Sequence, residues 1–112
     1  MTPDAPPSPG DIVWIDLDPV LGHEQRGRRP AVVLSAQSYN RRTGLAVCCP
    51  ITTRVKGFVF EVALGGAPAS VVLADQVRCI DWRRRNLTKK GRASSAELAE
   101  VRDKLAALIG IS

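Results

Sequence analysis

Apolar positions in this chain of 112 residues come in short runs, some alternating and some continuous, separated by turn-forming residues. Ile12, Trp14 and Asp16 alternate with Val13, Ile15 and Leu17, which predicts a strand over residues 11–17 with at least one buried face. Asp18-Pro19 ends it. Residues 20–29 hold Gly22 and Gly27 among polar neighbours without any period, predicting a loop of about ten residues against the usual ~4–6, and long ordered loops tend to be functional. Residues 30–35 are apolar almost throughout and predict a central strand, whereas residues 37–44 are polar and turn-like. Further strands are predicted over 45–51 (limited near its end by Pro50), 58–64, 70–74 and 77–82, with Gly65-Gly66 and Asp75-Gln76 as turns.

The end of the chain changes period. Ser94 and Glu97 have capping-box spacing, and Leu98, Val101, Leu105, Leu108 and Ile109 recur on one stripe before Gly110, predicting a terminal helix with a left-handed stop. Many short strands followed by one helix imply a mainly β fold, a small, partly closed antiparallel barrel with the C-terminal helix packed on it. Residues 1–9 contain four prolines and Asp4 and read as a flexible leader, not a signal peptide; residues 10–112 read as a single domain.

Composition narrows the function more than the fold. The 45% hydrophobic and 24% charged content is ordinary for a globular domain, and with five aromatic residues the core must be aliphatic. No apolar run approaches the ~20 residues that span a bilayer, so no membrane is expected. Of the three cysteines, Cys48 and Cys49 are adjacent and on a strand would point to opposite faces; buried, reduced thiols and a cytoplasmic setting follow. With His23 the only histidine and no Cys-x-x-Cys spacing, neither a metal nor another cofactor is expected. The net charge of +5 is unevenly spread. The first 22 residues carry four aspartates and no Lys or Arg, while Arg26, Arg28, Arg29, Arg41 and Arg42, then six cations from Arg83 to Arg92, follow. Two basic segments in so short a chain favour a polyanion.

Three places can carry chemistry. Glu24-Gln25-Arg26-Gly27-Arg28-Arg29-Pro30 holds a carboxylate and several guanidiniums just before the apolar strand, and Pro30 fixes its own φ and pushes Arg29 to extended geometry. A guanidinium so based suits a phosphate, which it can meet with two parallel hydrogen bonds; the plainer alternative is a surface ion pair with Glu24. Pro50-Ile51-Thr52-Thr53 offers hydroxyls to a phosphate oxygen, and Lys56-Gly57 offers a cation beside an approachable backbone; each alone is commonplace.

Taken in order, Gly10-Asp11-Ile12-Val13-Trp14, Gly22-His23-Glu24-Gln25, Arg29 to Ser35, Pro50-Ile51-Thr52-Thr53, Lys56-Gly57, Ala74-Asp75-Gln76-Val77 and Thr88-Lys89-Lys90-Gly91 resemble the MazF/PemK family of toxin endoribonucleases, over about residues 9–110. The resemblance implies an SH3-like barrel, a homodimer, a MazE-type antitoxin, and metal-independent, sequence-specific cleavage of single-stranded RNA by 2′-OH attack, leaving a 2′,3′-cyclic phosphate and a 5′-OH. Residue by residue it makes Arg29, Thr52 and Glu24 catalytic. Lys56, Gln25, Arg28, Thr53 and His23 are then substrate contacts, with His23 a second candidate proton acceptor beside Glu24. A non-catalytic CcdB-type toxin that binds DNA gyrase would use the same barrel and is the rival reading.

Overall fold

Residues 5–16 and 27–111 are described by the computed structural model. Strands β1 (Asp11–Asp16), β2 (Arg28–Val33), β3 (Leu45–Thr52), β4 (Glu61–Leu64), β5 (Ser70–Leu73), β6 (Arg78–Asp81) and β7 (Thr88–Arg92) make one antiparallel sheet in the order β4-β5-β3-β2-β1-β7, with β6 also paired to β3. Helix α1 (Gln37–Thr43) links β2 to β3, a 3-10 turn (Ala74–Gln76) links β5 to β6, and helix α2 (Ser95–Leu108) follows β7.

The sheet is buried on both faces at its centre, which explains the unbroken apolar run of β2. Ala31 and Val33 join Val13, Ile15, Ala46, Cys48, Ile80 and Trp82 in one cluster. Val32, between them, points the other way and joins Cys49, Ile51, Val62, Val72, Ala74 and Val101. Adjacent strand residues must face opposite sides, so Cys48 and Cys49 lie in different clusters. Helix α2 starts as the sequence predicts: the Ser94 hydroxyl accepts from the Glu97 N–H at 3.0 Å while the Glu97 carboxylate accepts from the Ser94 N–H at 2.8 Å. Val101 is buried against the second cluster, but the stripe weakens toward the end, where Leu108 and Ile109 are exposed.

Two elements differ from the sequence-based expectation. Residues 37–44, expected as a turn, contain α1, which has no apolar face and is anchored instead by a buried asparagine. The Asn40 side chain donates to the carbonyls of Pro7 (2.8 Å) and Ser35 (3.1 Å) and accepts from the Ser35 hydroxyl at 2.6 Å; its own carbonyl accepts from Trp82 Nε1 at 2.8 Å. Gly44, at φ 74°, ends the helix in the left-handed conformation that a Cβ disfavours. The second is β7, a polar segment exposed at every residue and paired only to β1, so no burial pattern announces it.

Asn40 also shortens the expected flexible leader. Pro7 is buried, Gln37 Nε2 donates to the Pro6 carbonyl, and Arg92 donates to the Pro9 carbonyl while pairing with the buried Asp11 at 2.6 Å. Residues 6–9 are therefore tied to the domain.

Asn40→Ala leaves the Ser35 and Pro7 groups without their buried partner. Each such unpaired group costs ~1–3 kcal/mol, so the variant is expected to lose about 2–4 kcal/mol of stability by urea denaturation; an unchanged midpoint would refute the hub.

Candidate active site

Arg29 and Thr52 come together through strand register. β2 pairs with β3 antiparallel, with Val33 opposite Cys48, Val32 opposite Cys49 and Ala31 opposite Pro50. The paired stretch ends there, and Arg29 and Thr52 each lie two residues beyond its last pair. Both line one open cavity of about 290 Å³, together with Asp16, Gln76, Arg78 and Arg85. Thr52 stands at the last position of β3, half-buried, and its Oγ1 accepts from the Arg54 N–H at 3.1 Å. That bond occupies an acceptor site and leaves the hydroxyl proton free to be donated outward. Arg29 is exposed at the mouth.

Charge in this cavity is strongly positive, and its one thiol is inert. Burial pushes the Cys48 thiol up to about 11, with the nearby Arg78 opposing that shift and Cys79 adding to it. Burial likewise pushes Cys49 up to about 12, with Cys48 and Asp75 reinforcing it. Both are protonated at neutral pH, so Cys48 lines the cavity as an apolar wall rather than as a nucleophile. Cys79, expected to be buried like the others, is exposed on β6, an edge strand whose partner is β3.

The other sequence-predicted site residues divide into three groups. His23, Glu24 and Gln25 lie outside the described residues. Thr53 borders a second, larger cavity of about 670 Å³ on the opposite side of Thr52, which includes Trp14, Lys90 and Glu97. Lys56 borders a third of about 210 Å³ with Phe58, Glu61 and Gln76, and its Nζ rests 5.7 Å from the Phe58 ring centroid. The Glu61 carboxylate shapes this corner by accepting from the N–H groups of Lys56 and Gly57. Thr52 borders all three cavities.

Arg28 is placed differently from Arg29. Neighbours on a strand face opposite ways, and Arg28 pairs with Asp16 at 2.6 Å while donating also to the carbonyls of Trp14 and Asn86 and the Thr88 hydroxyl. Asn86 Nδ2 completes the set on Asp16 at 2.7 Å. Arg28 thus joins β1, β2 and the start of β7, and its donors go to the protein rather than to a substrate. Sequence reasoning did not place Gln76, Arg78 and Arg85 at this site; they arrive from the β5–β6 connection, the start of β6 and the β6–β7 connection, and share no local motif with Arg29.

Native protein is expected to expose one rapidly reacting thiol of three to an aromatic disulfide reagent, and Cys79→Ser none; fast reaction at Cys48 or Cys49 would contradict their burial. Both buried thiols have a folded pKa above the unfolded ~8.5, so their stabilising contribution is complete below that pH and falls as pH rises toward 11–12. Urea midpoints should therefore decline from about pH 9 upward, less steeply in Cys49→Ala.

A family model described as PemK-like, MazF-like toxin of type II toxin-antitoxin system matches residues 8–109. The chain is 50% identical over 105 residues to the endoribonuclease toxin MazF of Escherichia coli strain K12, covering 93% of this chain and 95% of that one. It is 33% identical to the endoribonuclease PemK of Escherichia coli, over 89% of this chain and 80% of that one. Among solved structures, a MazE–MazF complex from Deinococcus radiodurans superposes with TM-score 0.88 at 46% identity, covering 95% of this chain and 98% of its own. The mainly β sheet with its C-terminal helix is thus shared with known MazF structures. On sequence and fold together, the chain belongs to the PemK-like, MazF-like toxins of type II toxin–antitoxin systems.

Proposed function

We propose that this protein is an endoribonuclease toxin that cleaves single-stranded RNA, and the observation that carries the reading is that Arg29 and Thr52 line one positively charged cavity. The curated relatives at 50% and 33% identity are endoribonucleases. A gyrase-binding toxin has no use for a guanidinium and a free hydroxyl proton lining one cavity, so the CcdB-type alternative is not favoured.

RNA carries its own nucleophile. The 2′-oxygen attacks the adjacent phosphorus and the bond to the 5′-oxygen breaks, leaving a 2′,3′-cyclic phosphate and a 5′-hydroxyl. The 2′-OH proton passes to a base and a proton is delivered to the departing 5′-oxygen; neither metal nor water nucleophile is required. Arg29 holds the non-bridging oxygens as their charge rises toward the transition state, where a positioned cation is most effective. Thr52 donates its hydroxyl proton to a phosphate oxygen and fixes the geometry of attack. Glu24 or His23 accepts the proton, and Lys56, Thr53 and Gln25 hold the flanking nucleotides. Lys56 beside the exposed Phe58 ring forms a surface on which a base can stack.

The natural partners are a MazE-type antitoxin, as in the Deinococcus radiodurans complexes, and a second copy of the chain. No helix among the described residues is long and apolar enough to cross a membrane, and the reading places the protein in the cytoplasm with its RNA. Light scattering should give a dimer mass.

Purified protein should cut a long single-stranded RNA in EDTA, leaving cyclic-phosphate ends. Arg29→Ala should lose about 10³-fold or more, and Thr52→Ala about 10²-fold or more, while remaining folded. Cleavage abolished by EDTA would sink the metal-free route, and undiminished cleavage by Arg29→Ala would sink the assignment.

A further inference from the structure

The cavity at Thr52 uses only part of the positive charge. Four more arginines stand at the other end of β3, carried by two elements whose backbones are bonded together. Arg41 and Arg42 occupy the last turn of α1, and Arg83 and Arg84 the turn after β6. Leu45 lies opposite Asp81 in register, the Trp82 N–H donates to the Gly44 carbonyl at 3.2 Å, and Trp82 Nε1 donates to the Asn40 carbonyl at 2.8 Å. Gly44 faces the Arg83 guanidinium closely enough that an added Cβ would meet Nη1 at 3.6 Å.

The β6–β7 turn is firmly built. Arg85 N–H donates to Asp81 O, Asn86 N–H to Arg83 O, Leu87 N–H to Trp82 O, and Arg84 N–H to Asp81 Oδ1. The Arg83 guanidinium lies 4.7 Å from the ring centroid of Trp82, itself almost fully buried. All four arginines are exposed, and none has a carboxylate partner among the described residues. Asp81, the acid on this turn, has Oδ1 occupied by a backbone N–H. Like charges gathered on rigid backbone repel one another, a cost that a polyanion relieves.

We propose that this end of the molecule is a second RNA-docking surface, taking the phosphodiester backbone of single-stranded RNA outside the nucleotides held at the cleavage cavity. It rests on the ribonuclease reading for its occupant, but not for its charge or geometry. Arg85, the next residue of the turn, lines the cavity, so the surface begins at the cavity's edge and runs outward to α1. Leu45, which opens β3 just after α1, lies seven strand steps, ~23 Å, from Thr52; a strand continuous with the substrate can follow that path. A guanidinium lying on an indole keeps its N–H edge outward for phosphate oxygens, and phosphate contacts carry no sequence information, so the contribution is sequence-independent and salt-sensitive.

The test compares the native chain with Arg41→Gln/Arg42→Gln and with the fourfold variant that adds Arg83→Gln and Arg84→Gln. The helix pair leaves the turn and the Trp82 stack intact, which guards against misfolding of the fourfold variant. The probes are RNAs of about 6 and about 30 nucleotides, 2′-O-methylated so that no nucleophile exists, with site sizes of ~4–16 nucleotides as the guide. For the long RNA, the fourfold variant should bind about 10-fold or more weakly. Its dependence of log K on log salt should flatten by up to ~3, at ~0.7 for each phosphate no longer neutralised, with the helix pair about half-way. Affinity for the short RNA should be unchanged, and with cleavable RNA the variants should raise KM on long substrates while kcat stays constant.

An unchanged affinity and salt slope on the long RNA overturns the surface while leaving the ribonuclease reading intact. Equal loss on both lengths overturns it too, since the arginines would then act at the cavity. Intact RNA binding with loss of affinity for an acidic antitoxin would assign the surface to a protein partner and overturn it as well. If the native chain neither binds RNA nor cleaves it, both readings fall.

Discussion

The register of β2 against β3 governs everything that this protein presents to a substrate. A slip of one residue would turn every side chain of β2 to the other face, exchanging Val32 with Ala31 and Val33 in the two cores and sending Arg29 away from Thr52. Burial of both faces makes that slip costly, so the apolar run that stabilises the domain also aims the guanidinium. Pro50 adds a second constraint. Along one side, β3 pairs with β6 over residues 45–48 and with β5 over 51–52, and Pro50, which lacks an N–H, stands at the exchange of partners. The sheet parts there, and the cavity that holds Arg29 and Thr52 opens in the gap between β2 and the β5–β6 connection.

The abundant positive charge is divided among different tasks. Arg92 and Lys89 neutralise the buried Asp11 and hold the start of the domain to β7. Arg28 closes the β1–β2 pair on Asp16, directly opposite it in register, and ties both to the β6–β7 turn. Arg28 is adjacent in sequence to Arg29 yet serves the frame. Net charge therefore overstates the surface available to a polyanion: Arg28 is taken, whereas Arg41, Arg42, Arg83 and Arg84 form no ion pair among the described residues.

What was legible in the sequence followed from burial. Strands β1, β2, β3 and β5 and the capped helix α2 each bury an alternating, continuous or helical apolar set, and their ends fall within a few residues of expectation. Residues 58–60 did not become strand because Phe58 and Val59 turn outward, with the Glu61 N–H bonded back to the Phe58 carbonyl. Helix α1 and strand β7 were illegible because one is held by a single asparagine and the other by main-chain pairing to one neighbour. Arg29 and Thr52 were visible as residues, and the family resemblance named their roles; that they line one cavity follows from the pairing of β2 with β3. Gln76, Arg78 and Arg85 come from segments distant in sequence from Arg29, and nothing local to them shows that they share its cavity.

Proton transfer sets the last constraint on the chemistry. Arginine stays cationic at any relevant pH, and the Cys48 thiol is held neutral by burial, so neither accepts a proton at pH 7. Asp16 is the carboxylate in the cavity, but Arg28 occupies one of its oxygens and Asn86 the other. Using it as a base would discharge the ion pair that closes β1 on β2. Thr52 has a proton to give and, as a neutral alcohol whose oxygen already accepts from the Arg54 N–H, is no base. The described part of the cavity is therefore built to hold phosphate and stabilise its charge, not to remove a proton. This division of labour is why Glu24 and His23, on the segment joining Asp16 to Arg28, are the residues to which we assign proton acceptance.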